Sequence, residues 1–295
     1  MVSNQSVIKK SFRKLVIVLS KTGLLNTLSD KAYLKAYFWA KLGYKLNLKQ
    51  PVTYNEKLQW LKIHDRKEAY IHQVDKYEVR KLIADELSED YLVPMIALYD
   101  TIEEINWSEL PDKFVMKATH GSGSNIICSN KADLNIEDAE RQLKWWMKRN
   151  WYWFGRAYPY KHIKPRIIVE EYLEDDITDY KFMCFNGEPK LVQVHMGRHG
   201  DEKSIDFYDM DWKKTTIGRP HENHGPTIPK PQFFDEMKSI AEQLSADNYH
   251  VRIDLYEVNN KVYFGEKTFY SASGFAPFNS IEEDIYLGSL IDLPI

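Results

Sequence analysis

The chain has 295 residues, 43% hydrophobic and 28% charged, with a formal net charge of −3. Such a composition belongs to a folded chain long enough for two or three compact units, and it excludes disordered and collagen-like classes. Two cysteines, Cys128 and Cys184, lie far apart in strand-like runs, which excludes a disulfide framework or a cysteine zinc site.

The first fifty residues hold ten Lys or Arg and one acid, Asp30, leaving 30 basic and 42 acidic residues for the rest. A basic start on an acidic body suggests an anionic surface as partner, while the acidic remainder argues against nucleic acid. No run approaches the ~20 apolar residues of a membrane span. "LVIVL" is too short for a signal peptide and lacks a small-residue cleavage site, so a cytoplasmic location is expected. The segment "VIKKSFRKLVIVLSKTGLL" fits two readings. It is an amphipathic helix on the inner membrane face, or a first helix packed on its own domain; the second is the simpler.

Further along, "SDKAYLKAYFWAKLG" reads as a helix capped at Ser29 or Asp30 and ended by Gly43. "TYNEKLQWLKIHD" repeats the pattern, with Thr53 and Glu56 spaced as a capping box. "DKYEVRKLIADEL" is a third amphipathic helix. "YLVPMIALYD" is a strand-like run broken by Pro94, and "FVMKA" and "NIICS" are strands joined by a Gly-Ser loop. A helix then leads into the aromatic stretch "WWMKRNWYWFGRAYPYK". "PRIIVEEYL" reads as a strand entering a polar hinge. "YKFMCFNGEPKLVQVH" is a hairpin turning at Asn186-Gly187, "PQFFDEMKSIAEQLSAD" a helix, and "HVRIDLYEVNNKVYFGEKTF" a hairpin turning at Asn259-Asn260. Helices first and antiparallel hairpins later make an α+β chain.

Four stretches carry chemistry. The loop Gly121, Ser122, Gly123 and Ser124 offers backbone N–H groups suited to phosphates, with Lys117 on the strand before it; a plain hairpin with a snorkelling lysine is the competing reading. Glu170, Glu171, Tyr172 and Leu173 end a strand as an adenine edge requires, or as a solvated strand end. Arg252, Asp254 and Glu266 fall in phase on the arms of one hairpin. Two carboxylates and an arginine suit Mg²⁺ with phosphate, though a surface ion pair looks similar. Asp179 and Lys181 enter the middle hairpin, placed for ribose and phosphates, or as surface charges.

The order of these parts resembles the ATP-grasp fold. The stretches "TYNEKLQWLK", "DKYEVR", "LPDKFVMKATHGSG", "PRIIVEEYLED", "DYKFMCFNGEPKLVQV", "VRIDLYEVNNKVYFGEKTFYSASGF" and "DIYLGSLIDLP" resemble more closely the TupA-like ATP-grasp proteins of bacterial surface-polysaccharide clusters. The resemblance implies two α+β lobes with antiparallel sheets clasping ATP and Mg²⁺. It divides the chain into a helical region 1–74 and an ATP-grasp region 75–295, with a small lobe at about 112–172 and a larger one at about 173–295. Lys117 matches the strand lysine, Gly121 to Ser124 the phosphate loop, Glu170 to Leu173 the adenine hinge and Asp179 a ribose acid. Arg252 and Lys181 are expected on the transferring phosphate, and Asp254 and Glu266 on magnesium. Thr268 stands where many members carry a metal-ligating asparagine. The α/β domain usual before the grasp is replaced here by helices.

The implied activity is a ligase that phosphorylates a carboxylate and joins it to an amine, acting on a small-molecule or glycan acceptor in capsule or cell-wall polysaccharide assembly. A glycosyltransferase or sugar kinase of the same pathway, and a non-catalytic nucleotide-binding scaffold in a polysaccharide complex, are the alternatives. For the acceptor, Trp151, Tyr152, Trp153, Tyr158 and Tyr160, with Arg156 and Lys161, are suited to sugar rings and a carboxylate, or to a hydrophobic plug. His120, His195 and Arg198 are further candidates. "HMGRHGDEKSIDFYDMDW" reads as a flap or solvated loop, and Gly274 in "SASGF" allows close backbone approach.

Overall fold

The computed structural model describes residues 4–175, 177–197, 204–220 and 224–295, with side chains from residue 9. The front of the chain is helical: α1 (Asn4–Lys21), α2 (Asp30–Leu42), α3 (Tyr54–His64), α4 (Ala69–Val74) and α5 (Val79–Glu86). The Ser29 hydroxyl accepts from Ala32 N–H to start α2, and Gly43 ends it in the left-handed region, φ 89°, where glycine carries no Cβ penalty. The Thr53–Glu56 capping box forms at α3. Unlike a surface helix, α3 buries polar side chains too: Asn55, Glu56, Gln59 and Lys62. Each must then find partners inside the protein.

Four strands form the smaller sheet: β1 (Met95–Tyr99), β2 (Phe114–Ala118), β3 (Asn125–Cys128) and β4 (Ile167–Glu171). Their order is β1-β4-β2-β3, all antiparallel. The sheet thus takes in Met95–Tyr99, ahead of residue 112. Alternation along β2 and β4 turns Phe114, Met116, Ile167 and Val169 toward α6 (Ile136–Met147), where Ala139, Leu143 and Trp146 meet them. Val115, Lys117, Ile168 and Glu170 share the opposite face. A short helix, α7 (Tyr152–Gly155), follows α6.

The larger sheet holds β5 (Asp179–Phe185), β6 (Glu188–Met196), β7 (Ser204–Asp209), β8 (His250–Val258) and β9 (Lys261–Thr268), in the antiparallel order β7-β6-β5-β8-β9. Both expected turns form with positive φ: Asn186 at 49° and Gly187 at 83°, Asn259 at 52° and Asn260 at 57°. Helix α8 (Phe234–Ser245) covers one face, burying Phe182, Val192, Val194 and Ile253 under Phe234, Met237, Ile240 and Leu244. Each such side chain contributes about 1.5–3 kcal/mol when removed from water. Helix α9 (Ile281–Ser289) closes the chain against α3.

One expected loop is a strand. Ser204–Asp209 pairs with β6 and is largely buried. Its buried Asp206 is met by Lys214 at 2.9 Å and by Gly225 N–H at 3.0 Å. The neighbouring part of the expected flap, residues 198–203 with Arg198, lies outside the described residues.

Candidate active site

The uncovered face of the larger sheet is built by register. Lys181 pairs with Asp254, Asp254 with Glu266, and Arg252 with Thr268. Cross-strand partners point to the same side, so charges from three strands converge. Gly265 is skipped in the β8–β9 pairing, leaving a bulge after Asp254. A Cβ there would lie 2.8 Å from the Tyr256 ring.

Arg252 donates to both Asp254 oxygens, at 2.6 and 2.8 Å. Its Nη2 also reaches Glu266 Oε1 and Thr268 Oγ1, each at 3.3 Å. Lys181 bridges Asp254 and Asp179. Thr268 donates its hydroxyl to Glu266 at 2.6 Å. Burial opposes the Asp254 charge, but Arg252 and Lys181 outweigh it and hold the carboxyl below the ordinary aspartate range. Burial likewise opposes the Glu266 charge, and Lys76, with Arg252 and Lys181, overcomes it. For Lys181, burial wins and its pKa is lowered. The carboxylates are therefore ionised, and ready for a cation or for the arginine.

Across the cleft, Lys117 Nζ lies 2.5 Å from Glu170, which also accepts from Arg80 at 3.0 Å. Lys117, Glu170, Glu171, Tyr172 and Leu173 line one cavity together with Val93, Ile127 and Tyr256. The apolar side chains suit a flat ring, and the strand end supplies backbone groups at its edge. Glu170 itself is an ion-pair partner of the cations rather than a free hinge acid.

The stretch "DKYEVR" forms a clamp at the start of α5. Asp75 Oδ1 accepts from the Tyr77 and Glu78 N–H groups at 2.8 and 3.3 Å, starting the turn into α5. Arg166, just before β4, pairs with Asp75 at 3.0 Å and Glu78 at 2.7 Å and lies over Tyr77. This clamp aims Lys76 and Arg80 into the cleft. Lys76 donates to the Gly121 carbonyl at 2.5 Å and stands 3.6 Å from Glu266, so one ammonium ties the glycine loop to the larger sheet. Sequence reasoning did not single out Lys76 or Arg80. Their phase at the start of an amphipathic helix resembles any solvated face, and only the quoted motif marked them.

The glycine loop packs closely. A Cβ on Gly121 would lie 1.9 Å from Trp151 Nε1, whereas Gly123, at φ 68°, has nothing within 4 Å. A second cavity of about 260 Å³ opens beside it, lined by Ser122, Trp151, Phe154, Tyr160, Arg252, Glu266, Thr268 and the segment Ala272–Ser273. That segment is strained: Ala272 and Ser273 are left-handed, φ 46° and 53°, before Gly274 at 62°, which costs about 1–3 kcal/mol per non-glycine residue. Helix α3 holds it. Gln59 Nε2 donates to the Ser273 and Gly274 carbonyls at 3.2 and 2.7 Å. Lys62 Nζ donates to Ser273 O at 2.7 Å and to Gly155 O at 2.6 Å. Burial drives the Lys62 pKa well down, and the Phe275 ring 4.4 Å away offers its face to the ammonium.

The family model described as TupA-like ATPgrasp matches residues 56–292. The chain belongs to the TupA-like ATP-grasp family. The two antiparallel sheets facing one cleft are the ATP-grasp fold. Among solved structures, L-amino acid ligase from Bacillus licheniformis aligns at 11% identity, TM-score 0.46, covering 85% of this chain and 55% of that one. D-alanine–D-alanine ligase from Bacillus anthracis aligns at 17% identity, TM-score 0.39, covering 67% and 56%. N5-carboxyaminoimidazole synthetase from Staphylococcus aureus, complexed with ADP, aligns at 13% identity, TM-score 0.40, covering 82% and 60%. The chain thus spans little more than half the length of these structures. No curated protein matches.

In this TupA-like chain the remaining expected residues are distributed as follows. Asp179 is fully buried beside Lys181, and His195 sits opposite it in register. Ser122 reaches the second cavity, while Ser124 is buried. His120 is buried, with Nε2 3.0 Å from the Trp146 carbonyl. Arg156 also points elsewhere. It bonds the Leu25 and Asn26 carbonyls and lies over Tyr33 and Trp153, anchoring the helical region.

Among the described residues, no group of three or more His, Cys, Asp or Glu side chains is arranged to hold an ion. Asp254 and Glu266 are two hard oxygen donors, adjacent by register. They fit Mg²⁺, which takes one or two carboxylates and completes its shell with water and substrate phosphate.

Proposed function

We propose that this chain is an ATP- and Mg²⁺-dependent carboxylate–amine ligase. The observation that carries the reading is the convergence of Arg252, Lys181, Asp254 and Glu266 on one sheet face, opposite Lys117 and Arg80 and tied to the glycine loop by Lys76. Glu171 to Leu173 present the adenine edge. Lys117 and Arg80 exchange Glu170 for nucleotide phosphate. Asp254 and Glu266 would hold the metal, with the Thr268 hydroxyl steadying Glu266, and the ion would supply charge neutralisation at the phosphates. Arg252 and Lys181 turn from Asp254 to the transferring phosphoryl group, where a guanidinium meets developing charge. Backbone N–H groups of Gly121 to Ser124 cover it and exclude water.

The acceptor cavity opens at Arg252 and Glu266 and is walled by Trp151, Phe154 and Tyr160. Aromatic faces beside a cation suit a sugar carboxylate. A uronic acid unit of a surface polysaccharide, joined to an amino acid or amine, is the reading this supports. The test incubates the protein with Mg-ATP, a mixture of uronic acids and a mixture of amino acids. ADP and phosphate that appear only with both mixtures support the ligase. ADP with a stable sugar phosphate would instead make it a kinase, and turnover of a nucleotide sugar without ATP consumption a glycosyltransferase.

A further inference from the structure

We propose that α1 docks in the plane of an anionic lipid surface. The helix is held on one side only. Arg13 donates to the Ala40 and Lys41 carbonyls at 3.0 and 3.2 Å, satisfying the C-terminal end of α2. Ser20 shares a hydrogen bond with the Tyr33 hydroxyl at 2.7 Å. Those contacts turn Arg13, Val16, Ile17 and Ser20 toward the protein, where they are half-buried. They leave Phe12, Leu15 and Val18, three residues apart, 59%, 48% and 54% exposed. Spacing of three keeps side chains on one side of a helix.

The charge around this stripe selects the partner. Lys9, Lys10, Lys14 and Lys21 are all exposed, and no acid occurs before Asp30. An apolar stripe edged by lysines matches the boundary between anionic headgroups and acyl chains. A second copy of the chain would bring two such basic surfaces together and repel. Among the described residues no helix is long and apolar enough to cross a membrane, so the helix lies in the interface. The same Tyr33 hydroxyl that meets Ser20 lies 3.3 Å from the Trp153 carbonyl, and Trp153 and Phe154 are themselves partly exposed. Tyr33 thus joins α1 to α7 on the side of α1 that faces away from the lipid.

The full chain is mixed with vesicles of phosphatidylcholine alone, or with about a third phosphatidylglycerol, and sedimented. Partition is expected to be at least about tenfold greater on the anionic vesicles, and to fall with added salt. The triple variant Phe12→Ser, Leu15→Ser, Val18→Ser should lose that binding. The variant Lys9→Glu, Lys10→Glu, Lys14→Glu, Lys21→Glu, which keeps the apolar stripe, should lose the preference for phosphatidylglycerol and serves if the first does not fold. Equal binding to both vesicle types, or no binding, overturns the proposal. So does a dimer seen by light scattering in the wild type and abolished in the triple variant.

Discussion

Lys62→Met tests whether α3 is a brace for the site. The Lys62 ammonium is fully buried and reaches the Gly155 and Ser273 carbonyls, Ser273 Oγ and Gln59 Oε1 at 2.6 to 3.0 Å. All of these are neutral oxygens. Methionine matches the length and apolar stem, and it relieves the cost of burying a charge. It also strips the donor from two buried oxygens, the Gly155 carbonyl and Gln59 Oε1, at about 1–3 kcal/mol each, while the Ser273 carbonyl keeps its bond from Gln59. The second effect is the larger, because the acceptors stay in place while only one partner is removed. A net loss of about 2–4 kcal/mol is expected in urea denaturation at neutral pH. Gly155 and Ser273 line the second cavity, and the strained Ala272–Ser273 turn would relax. The KM for the acceptor should therefore rise while that for ATP changes little. Stability within about 0.5 kcal/mol of wild type, with both KM values unchanged, would refute the brace.

Gly121→Ala places a methyl group 1.9 Å from the Trp151 indole and should cost about 1–3 kcal/mol as overpacking, with loss of turnover. Gly123→Ala meets no neighbour and should cost only about 1 kcal/mol of backbone strain; equal effects in thermal melts would contradict the packing argument. Glu266→Gln should lower kcat at least about 100-fold with circular dichroism unchanged, and a wild-type rate would remove Glu266 from the metal. His250 gives a pH signature. Burial drives its pKa from 6.5 to about 3, its Nδ1 facing the Cys184 carbonyl and its Nε2 the Tyr54 hydroxyl. The unfolded chain takes up this proton first on acidification. Stability is thus complete above about pH 6.5 and falls toward pH 3 by about 1.4 kcal/mol per unit. His250→Asn should lack that component of the slope, and parallel pH curves would contradict it.

Local chemistry made much of the architecture readable. Asn186-Gly187 and Asn259-Asn260 are residue pairs that tolerate positive φ, so both hairpins, and hence the phase of Arg252, Asp254 and Glu266, followed from their turns. The capping box at Thr53 likewise predicted where α3 begins. Strand β7 was hidden because Asp206 and Asp209 give it the charge of a loop, and the groups that satisfy Asp206, the Lys214 ammonium and the Gly225 N–H, come from later in the chain. Lys76 and Arg80 were hidden because their partners, Gly121, Glu266 and Glu170, are remote in sequence. The role of α3 was equally non-local: nothing in "TYNEKLQWLK" alone says that Gln59 and Lys62 face inward onto a strained turn some 210 residues later.

The central claim is that phosphate passes from ATP to a carboxylate oxygen. Uronic acids and amino acids with oxygen-18 in every carboxylate are incubated with the protein and Mg-ATP, and the phosphate released is read by phosphorus NMR. Phosphate carrying one oxygen-18 atom, formed together with ADP and an amide, is the predicted result. Phosphate without label, or ATP left unconsumed while a nucleotide sugar turns over, would contradict it.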